Sequence, residues 1–165
     1  MSESHVQSLY TTPLGPVRLL AGPRGLAGLW FEDQKHRPSE LDGPSWPRQD
    51  DHALLAEACR QLSEYFSGRR QRFDLPLDLS AGTAFEQGVW HALLDIAHGQ
   101  HRSYSEIGER IGRPSAARAV GAAVGRNRLS IIVPCHRVLG RDGRLTGYAG
   151  GLDRKRDLLQ LEGVI

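Results

Sequence analysis

The pattern of apolar residues changes near residue 80, and this change divides the chain into two parts that must fold differently. Before it, three short apolar runs are separated by turns rich in proline and glycine, at Val6–Thr11, Val17–Ala21 and Leu26–Phe31. Runs of this length between such turns are typical of β-strands joined by hairpins. The pattern therefore predicts a small antiparallel sheet, followed over residues 32–50 by a long, proline-containing surface loop.

A helix and a further strand complete the first part. Asp51 is expected to cap a helix that runs to about Phe66. Its apolar stripe consists of Leu55, Ala58, Cys59, Leu62 and Phe66. Because Cys59 lies on this stripe, we interpret it as a core residue. Phe73–Leu79 predicts a strand and Ser80-Ala-Gly82 a junction. We therefore expect an α/β N-terminal structural domain over residues 1–80 and a second domain over 81–165.

Two capping boxes mark helix starts in the second part, Thr83 with Glu86 and Ser103 with Glu106. The first helix is expected to reach His98, and the second to stop before Pro114. The side chains expected to face inward are Val89, Trp90, Leu93, Leu94, Ile107 and Ile111. Later, Asp153 is expected to cap a last helix whose inward side chains are Leu158, Leu159 and Leu161.

A third helix is predicted over Ser115–Arg126, and it consists almost entirely of alanine, glycine and valine. A short helix, a tight turn and a second helix follow the helix-turn-helix plan, so the fold class is an α/β domain plus a mainly α domain containing this motif. Small residues permit either close helix packing or close approach to a shallow groove such as the DNA minor groove. Arg118 would project from the first turns like a finger.

The basic residues are concentrated in the second part. Residues 1–99 carry 9 basic and 13 acidic side chains, whereas residues 100–165 carry 12 basic and 6 acidic ones. Only Lys35 and Lys155 are lysines, and arginine is the residue best suited to phosphate recognition. The excess indicates either a solvated basic face or a surface for a polyanion, of which nucleic acid is the leading candidate.

Composition excludes several classes of protein. Of the 165 residues 39% are hydrophobic and 24% charged, which is enough for a core and argues against disorder. No apolar run is long enough to cross a membrane, and the N-terminus lacks the pattern of a signal peptide. Two cysteines rule out a disulfide framework and a four-cysteine zinc site. A reducing, cytoplasmic setting is expected.

One cysteine stands where chemistry is plausible. An apolar, strand-like run ends at Pro134, and Cys135 and His136 follow. A thiol needs a base or positive charge to become a nucleophile, and His136, Arg137 and nearby arginines offer both. The alternative is a structural cysteine beside a surface histidine. The glycine-rich stretch 140–151 fits a lid over a pocket with Tyr148 as an aromatic wall, and Glu162 is a candidate to orient His136.

These residues resemble a known family. The resemblance rests on Arg118-Ala-Val, Asn127, Pro134-Cys-His-Arg-Val138, Gly147-Tyr148, Gly150-Gly151 and Leu158-Leu159-x-x-Glu162, with Gly82-Thr-x-Phe85 and Ser103-Tyr104 upstream. Together they are similar to the O6-alkylguanine-DNA alkyltransferases, closely over residues 82–162 and loosely over residues 10–20. The resemblance implies direct repair: an alkylated guanine is flipped out of duplex DNA, and a cysteine takes its alkyl group irreversibly, once per molecule.

The resemblance also implies a role for each matching residue. Cys135 would accept the alkyl group, His136 would take its proton through a water, Glu162 would polarise His136, and Asn127 would brace the turn. Tyr104 would assist the leaving guanine and press the DNA backbone. The pocket would be walled by Tyr148, Ala149 and the main chain of Cys135 and Val138. DNA contacts would come from Arg118, Tyr104, Ser105, Arg113, Ala116, Ala117, Ala119 and Arg128.

Further expectations follow from the family. The substrate would be double-stranded DNA carrying O6-alkylguanine, with O4-alkylthymine as a second lesion, and the protein would act as a monomer that is able to cluster on DNA. No cofactor, metal or membrane is expected, since Cys59 alone cannot form the zinc site of some members.

The family's proline after the asparagine is replaced by Arg128, so the turn is expected to be less rigid. A lesion sensor that binds without reacting and a thiol hydrolase remain the alternatives.

Overall fold

The computed structural model describes residues 5–34 and 46–165 and divides the chain into two compact units, Met1–Asp78 and Leu79–Ile165. The first unit contains an antiparallel sheet in the order β1-β2-β3, formed by Val6–Thr12, Gly15–Gly22 and Gly25–Phe31. The three predicted strands are therefore confirmed. Every residue of β3 is buried, because both of its faces are covered.

Helix α1, Ala53–Phe66, packs against all three strands. It begins after His52 and has no side-chain cap, so the predicted cap at Asp51 is wrong. The predicted stripe is also partly wrong. Cys59 and Phe66 are only half-buried, whereas Gln61 and Tyr65 are buried. The polar Gln61 is tolerated there because its amide exchanges two hydrogen bonds, of 2.8 and 3.0 Å, with the backbone of Asp74.

The predicted strand at Phe73–Leu79 is wrong, because only one bridge forms, between Leu26 and Leu77. Leu26 donates to the Pro76 carbonyl and accepts from the Asp78 amide, both at 2.8 Å. Proline has no N–H and cannot extend such a ladder.

In the predicted loop over residues 32–50, residues 35–45 lie outside the described residues. Arg48, in the same predicted loop, forms a parallel bridge with Gln7.

The second unit is mainly helical. Its elements are α2 Ala84–Leu94, β4 Arg102–Ser103, α3 Tyr104–Arg110, α4 Ala117–Gly125, β5 Val138–Leu139 and α5 Leu152–Leu161. β4 and β5 pair in parallel. Both predicted capping boxes are present, with the hydroxyls of Thr83 and Ser103 accepting from the amides of Glu86 and Glu106. The expected fold class, a small α/β part followed by a helical part, is confirmed.

Several predicted boundaries in this unit are wrong. α2 ends at Leu94, four residues before His98, so the Leu94 side chain is exposed. Ile111 is only half-buried, because α3 has already ended at Arg110.

The last helix also departs from the prediction. The N-cap of α5 is Gly151, with a positive φ of 97°, and Asp153 lies one step inside the helix without capping it. Leu161 is exposed, while Lys155, Leu158 and Leu159 form the buried face. The inward stripe therefore begins with a charged residue.

The small residues of α4 let two neighbouring helices approach closely. Val120, Ala123 and Val124 are buried on the side of α4 that packs against α2 and α3. The indole of Trp90 donates a 2.8 Å hydrogen bond to the Ala123 carbonyl, a contact for which a large side chain would leave little room. Arg118 and Ala119 are exposed on the remaining surface of the helix. Close packing thus uses one face of α4 and leaves another face free.

Gly25 has a conformation and a contact that exclude a side chain. Its φ is +138°, and a Cβ there would lie 2.6 Å from the Pro76 carbonyl oxygen. We expect Gly25→Ala to lower the free energy of unfolding by about 3 kcal/mol, because it combines backbone strain with loss of the Leu26–Leu77 bridge. Denaturant unfolding measures this. Gly68→Ala is the control, since Gly68 also has positive φ but faces open space, and its expected loss is about 1 kcal/mol. Equal losses in the two variants would contradict the steric argument.

Candidate active site

Cys135 lies in a tightly folded loop. The run Ile131–Val133, expected to be strand-like, instead forms turns, and Ile131 has a left-handed φ of 73°. A β-branched residue seldom adopts this conformation, because its side chain crowds the backbone. After Pro134, residues Cys135–Arg137 make one turn of 3-10 helix, and Cys135 is only 4% exposed. The prediction of a strand is therefore wrong here. The apolar side chains of this run are buried, but the backbone that carries them forms a loop.

Asn127 holds this loop from inside. Its Nδ2 donates to the Val133 carbonyl at 2.9 Å, to the Leu129 carbonyl at 3.3 Å and to Sγ of Cys135 at 3.2 Å. Its Oδ1 accepts from the Leu129 amide at 3.0 Å. Asn127 is itself buried. One side chain therefore fixes both the backbone before the cysteine and the sulfur atom.

The next two residues converge on Glu162 at the end of α5. Nε2 of His136 lies 2.7 Å from Oε2 of Glu162. Arg137 donates from Nε to Oε1 at 2.7 Å and from Nη2 to Oε2 at 2.9 Å, and its Nη1 donates to the Ile96 carbonyl at 2.6 Å. The expected pairing of Glu162 with His136 is present. Arg137, considered above as a source of positive charge for the thiol, instead clamps the carboxylate.

Burial and these contacts shift the pKa values of the site. Burial raises the pKa of the Cys135 thiol, although Asn127 and Lys155 partly oppose it. Burial lowers the pKa of His136, against the effect of Glu162. Burial would raise the pKa of Glu162, but the hydrogen bonds from His136 and Arg137 outweigh it and hold this pKa well below its usual range. At neutral pH the site therefore holds a thiol, a neutral imidazole and a carboxylate.

Sequence reasoning missed Lys155. Its side chain is fully buried, and Nζ donates to the Val138 carbonyl at 2.6 Å and to the Thr146 carbonyl at 3.1 Å. Burial lowers its pKa to about 8. A signal was available, because Lys155 shares the helical spacing of Leu158, Leu159 and Glu162 and therefore points inward with them.

Tyr104 and Tyr148 have different environments. The hydroxyl of Tyr104, on the first residue of α3, lies 2.8 Å from Oγ1 of Thr146. The hydroxyl of Tyr148 is enclosed beside Ser130, and burial raises its pKa well above the usual value. Ala149 is half-buried next to it, and Val138 is buried in β5. The glycine-rich stretch thus contributes both polar and aromatic groups to the site.

The predicted DNA-contact residues lie along α3, the following turn, α4 and the segment just after α4, which contains Arg128. Arg118, Ser105, Arg113 and Ala119 are exposed, while Ala116, Ala117 and Arg128 are half-buried.

Within residues 5–34 and 46–165, no group of three or more histidine, cysteine or acidic side chains is arranged to hold a metal ion. Across the same ranges, every helix is too short or too polar to span a bilayer.

Two family models match the chain. The DNA-binding domain of 6-O-methylguanine DNA methyltransferase matches residues 84–164, and the ribonuclease-like domain of the same enzyme matches residues 6–79. The chain belongs to the 6-O-methylguanine DNA methyltransferase family. The resemblance seen in the sequence is therefore confirmed, and it extends over the first part of the chain as well as the second.

Individual members of this family are similar over nearly the full chain. The methylated-DNA–protein-cysteine methyltransferase of Mycobacterium leprae is 48% identical over 158 residues, covering 96% of this chain and 92% of that protein. The Methanosarcina acetivorans protein of the same name is 45% identical, covering 94% and 97%. A crystal structure of Mycobacterium tuberculosis OGT in complex with DNA has a TM-score of 0.83 at 47% identity, covering 95% and 92%.

Arg128, which stands where the resemblance led us to expect a proline, is half-buried beside Asn127. The four hydrogen bonds of Asn127 form without that proline. Whether the turn is less rigid stays a prediction.

The buried Lys155 gives a test of the site's electrostatics. Its pKa of about 8 lies below the ordinary 10.5, so the unfolded chain binds more protons between these values and stability contributed by this group rises with pH. We expect the unfolding free energy of the unaltered protein, relative to Lys155→Met, to increase by about 2 kcal/mol from pH 7 to pH 10. Denaturant unfolding at several pH values checks this. Arg156→Met, on the exposed side of α5, should give a difference that does not vary with pH. A flat difference for Lys155→Met would show that its charge is not desolvated.

Proposed function

We propose that this protein repairs duplex DNA directly by moving the alkyl group of O6-alkylguanine onto Sγ of Cys135, with O4-alkylthymine as a second lesion. The observation that carries the proposal is the connected set of Asn127, Cys135, His136 and Glu162 in a chain of this family. The relatives are named methylated-DNA–protein-cysteine methyltransferases, and the M. tuberculosis protein forms a complex with DNA. Both names support DNA as the partner of this chain.

The reaction is a substitution at a saturated carbon. The bond between Sγ and the alkyl carbon forms while the bond between that carbon and O6 breaks. The thiol proton passes to His136, and the leaving guanine takes up a proton from Tyr104. The proton on His136 then returns to Tyr104 through solvent, so that overall the thiol proton ends on guanine. Attack at a saturated carbon forms no tetrahedral oxyanion intermediate, so the site needs a thiolate, in-line positioning and help for the leaving group. The thioether product has no easy hydrolytic exit, and each molecule therefore acts once without a cofactor.

Hydrogen bonding assigns the base nitrogen of His136. Glu162 is ionised, so Nε2 at 2.7 Å must carry the proton that it donates to the carboxylate. Nδ1 is then the nitrogen with a free lone pair. Among the described residues Nδ1 has no protein hydrogen-bond partner. We assign it to accept the Cys135 proton through one bridging water molecule, as a general base.

The burial of Cys135 supports base flipping. With the residue 4% exposed, a base that stays stacked in a duplex cannot present its O6 substituent to the sulfur. The flipped guanine would lie between Tyr148, Ala149 and the backbone of Cys135 and Val138. Tyr104 is assigned to donate to the leaving guanine, because the raised pKa and enclosure of Tyr148 suit a wall better than a donor.

The exposed face of α4 is assigned to the DNA minor groove. Its alanines allow close approach, and Arg118 would fill the space that the flipped base leaves. Tyr104, Ser105, Arg113 and Arg128 would contact phosphates, together with the backbone at Ala116, Ala117 and Ala119. We assign the first domain, residues 1–80, to structural support, and propose a cytoplasmic monomer that clusters on DNA.

A mass measurement tests the proposal. Incubation with duplex DNA containing O6-methylguanine should add one methyl group to the Cys135 peptide and stop at one equivalent of protein. Cys135→Ala should lose transfer but keep DNA binding. Cys59→Ser is the matched control and should transfer normally, since Cys59 lies in the other unit. Binding without a mass increase would instead identify a lesion sensor, and turnover of a small thiol-reactive ester without any reaction with DNA would identify a hydrolase.

Arg118 allows a separate test of flipping. We expect Arg118→Ala to slow repair of duplex DNA by at least about tenfold, because nothing then fills the stack, while the rate with the free base O6-methylguanine stays within twofold. Single-turnover rates on the two substrates measure this. Arg156→Ala removes an exposed charge from α5 and serves as the control. Equal slowing of Arg118→Ala on both substrates would refute the finger role.

A further inference from the structure

Thr146 is the one neighbour to which the Tyr104 hydroxyl bonds in the described part of the chain, and it lies 42 residues away in sequence. The two oxygen atoms are 2.8 Å apart. The Tyr104 ring also lies beside Gly121 of α4, where a Cβ would be 3.8 Å from it. The ring of Tyr104 therefore lies near α4, and its hydroxyl is directed at Thr146.

Thr146 is itself held in three ways. Its carbonyl accepts from the buried Nζ of Lys155 at 3.1 Å, and the same Nζ donates to the Val138 carbonyl at 2.6 Å. Its methyl group lies against Gly140, where a Cβ would be only 2.7 Å from Cγ2. Its hydroxyl meets Tyr104. Because methyl, carbonyl and hydroxyl are all constrained, the side chain has one favoured rotamer.

We infer that Thr146 is a positioning residue for the reaction, acting through Tyr104. A phenol has a single proton, so when Thr146 donates to the Tyr104 oxygen, the Tyr104 proton must point elsewhere and is free for the leaving guanine. Accepting a hydrogen bond also makes the phenol a stronger donor, because neighbouring hydrogen bonds polarise one another. The inference rests on the proposed function, and it extends the site to Thr146, Lys155 and Gly140.

A double-mutant cycle tests this. Thr146→Val keeps the shape of the side chain but removes the hydroxyl, and we expect methyl transfer from O6-methylguanine in duplex DNA to slow about tenfold in single turnover. Thr146→Ser keeps the hydroxyl and should stay within twofold of the unaltered protein. In a Tyr104→Phe background, Thr146→Val should change the rate by less than twofold. Within each background, Thr146→Val should leave the dissociation constant for duplex DNA unchanged, since Thr146 acts on the chemical step.

Gly140 provides a second test that does not remove the hydroxyl. Gly140 has φ −74° and ψ −177°, which alanine readily adopts, so the only obstacle to Gly140→Ala is the Thr146 methyl group. Gly140→Ala should displace Thr146 and slow transfer by a factor similar to that of Thr146→Val. Adding Thr146→Ser removes the methyl group and should restore the rate. Thermal unfolding of each variant separates loss of fold from loss of positioning.

Two results would overturn the inference: an unchanged rate in Thr146→Val, or the same slowing by Thr146→Val in the presence and absence of the Tyr104 hydroxyl. Failure of Thr146→Ser to rescue Gly140→Ala would also count against it. These outcomes differ from failure of the proposed function, because in that case the unaltered protein and Thr146→Ser would themselves leave Cys135 unmethylated.

Discussion

The amide of Asn127 is the interaction on which the site depends. The loop before Cys135 contains Ile131 in a left-handed conformation, which local sequence preferences oppose by about 1–2 kcal/mol. Asn127 offsets this by binding two carbonyls, one amide and the sulfur itself. His136 and Val138 lie one and three residues after Cys135, so the proposed base and the proposed pocket wall are positioned by the loop that Asn127 holds.

The buried charges around Cys135 have an excess of one positive charge. Arg137 and Lys155 are cations and Glu162 is an anion, while His136 is neutral. The thiolate that forms when the proton moves to His136 lies among these net positive charges, and the charge of Lys155 stabilises it. Burial opposes the thiolate, but the surrounding protein carries the charge that favours it. A thiol that is unreactive at rest and readily ionised once a base accepts its proton is the expected result.

Features of this structure could be predicted from the sequence mainly where the residues that form them lie close together along the chain. Both capping boxes involve residues three apart, and both formed as predicted. The pairing of His136 with Glu162 was expected from the family resemblance, since spacing alone did not single out Glu162. Thr146 and Lys155 gave weaker signals, because their partners lie on other segments. The run at Ile131 was misread since buried turns and strands use the same apolar residues. Cys59 was expected to be buried on the apolar stripe of α1, but it is half-buried and Gln61 is buried instead. Gln61 binds the backbone of Asp74, and no local sequence pattern indicates this partner.

Under the proposed function, in which Cys135 accepts one alkyl group and is then spent, the enclosure of this residue has a further consequence. Peroxides and other small oxidants attack exposed thiolates, and their rates follow the thiolate fraction and the access to sulfur. Here Cys135 is 4% exposed, and because burial raises its pKa the thiol is protonated at neutral pH. Each molecule is therefore shielded from adventitious oxidation until a lesion enters the pocket, so that the number of intact acceptors in a population is set by how many lesions have been met.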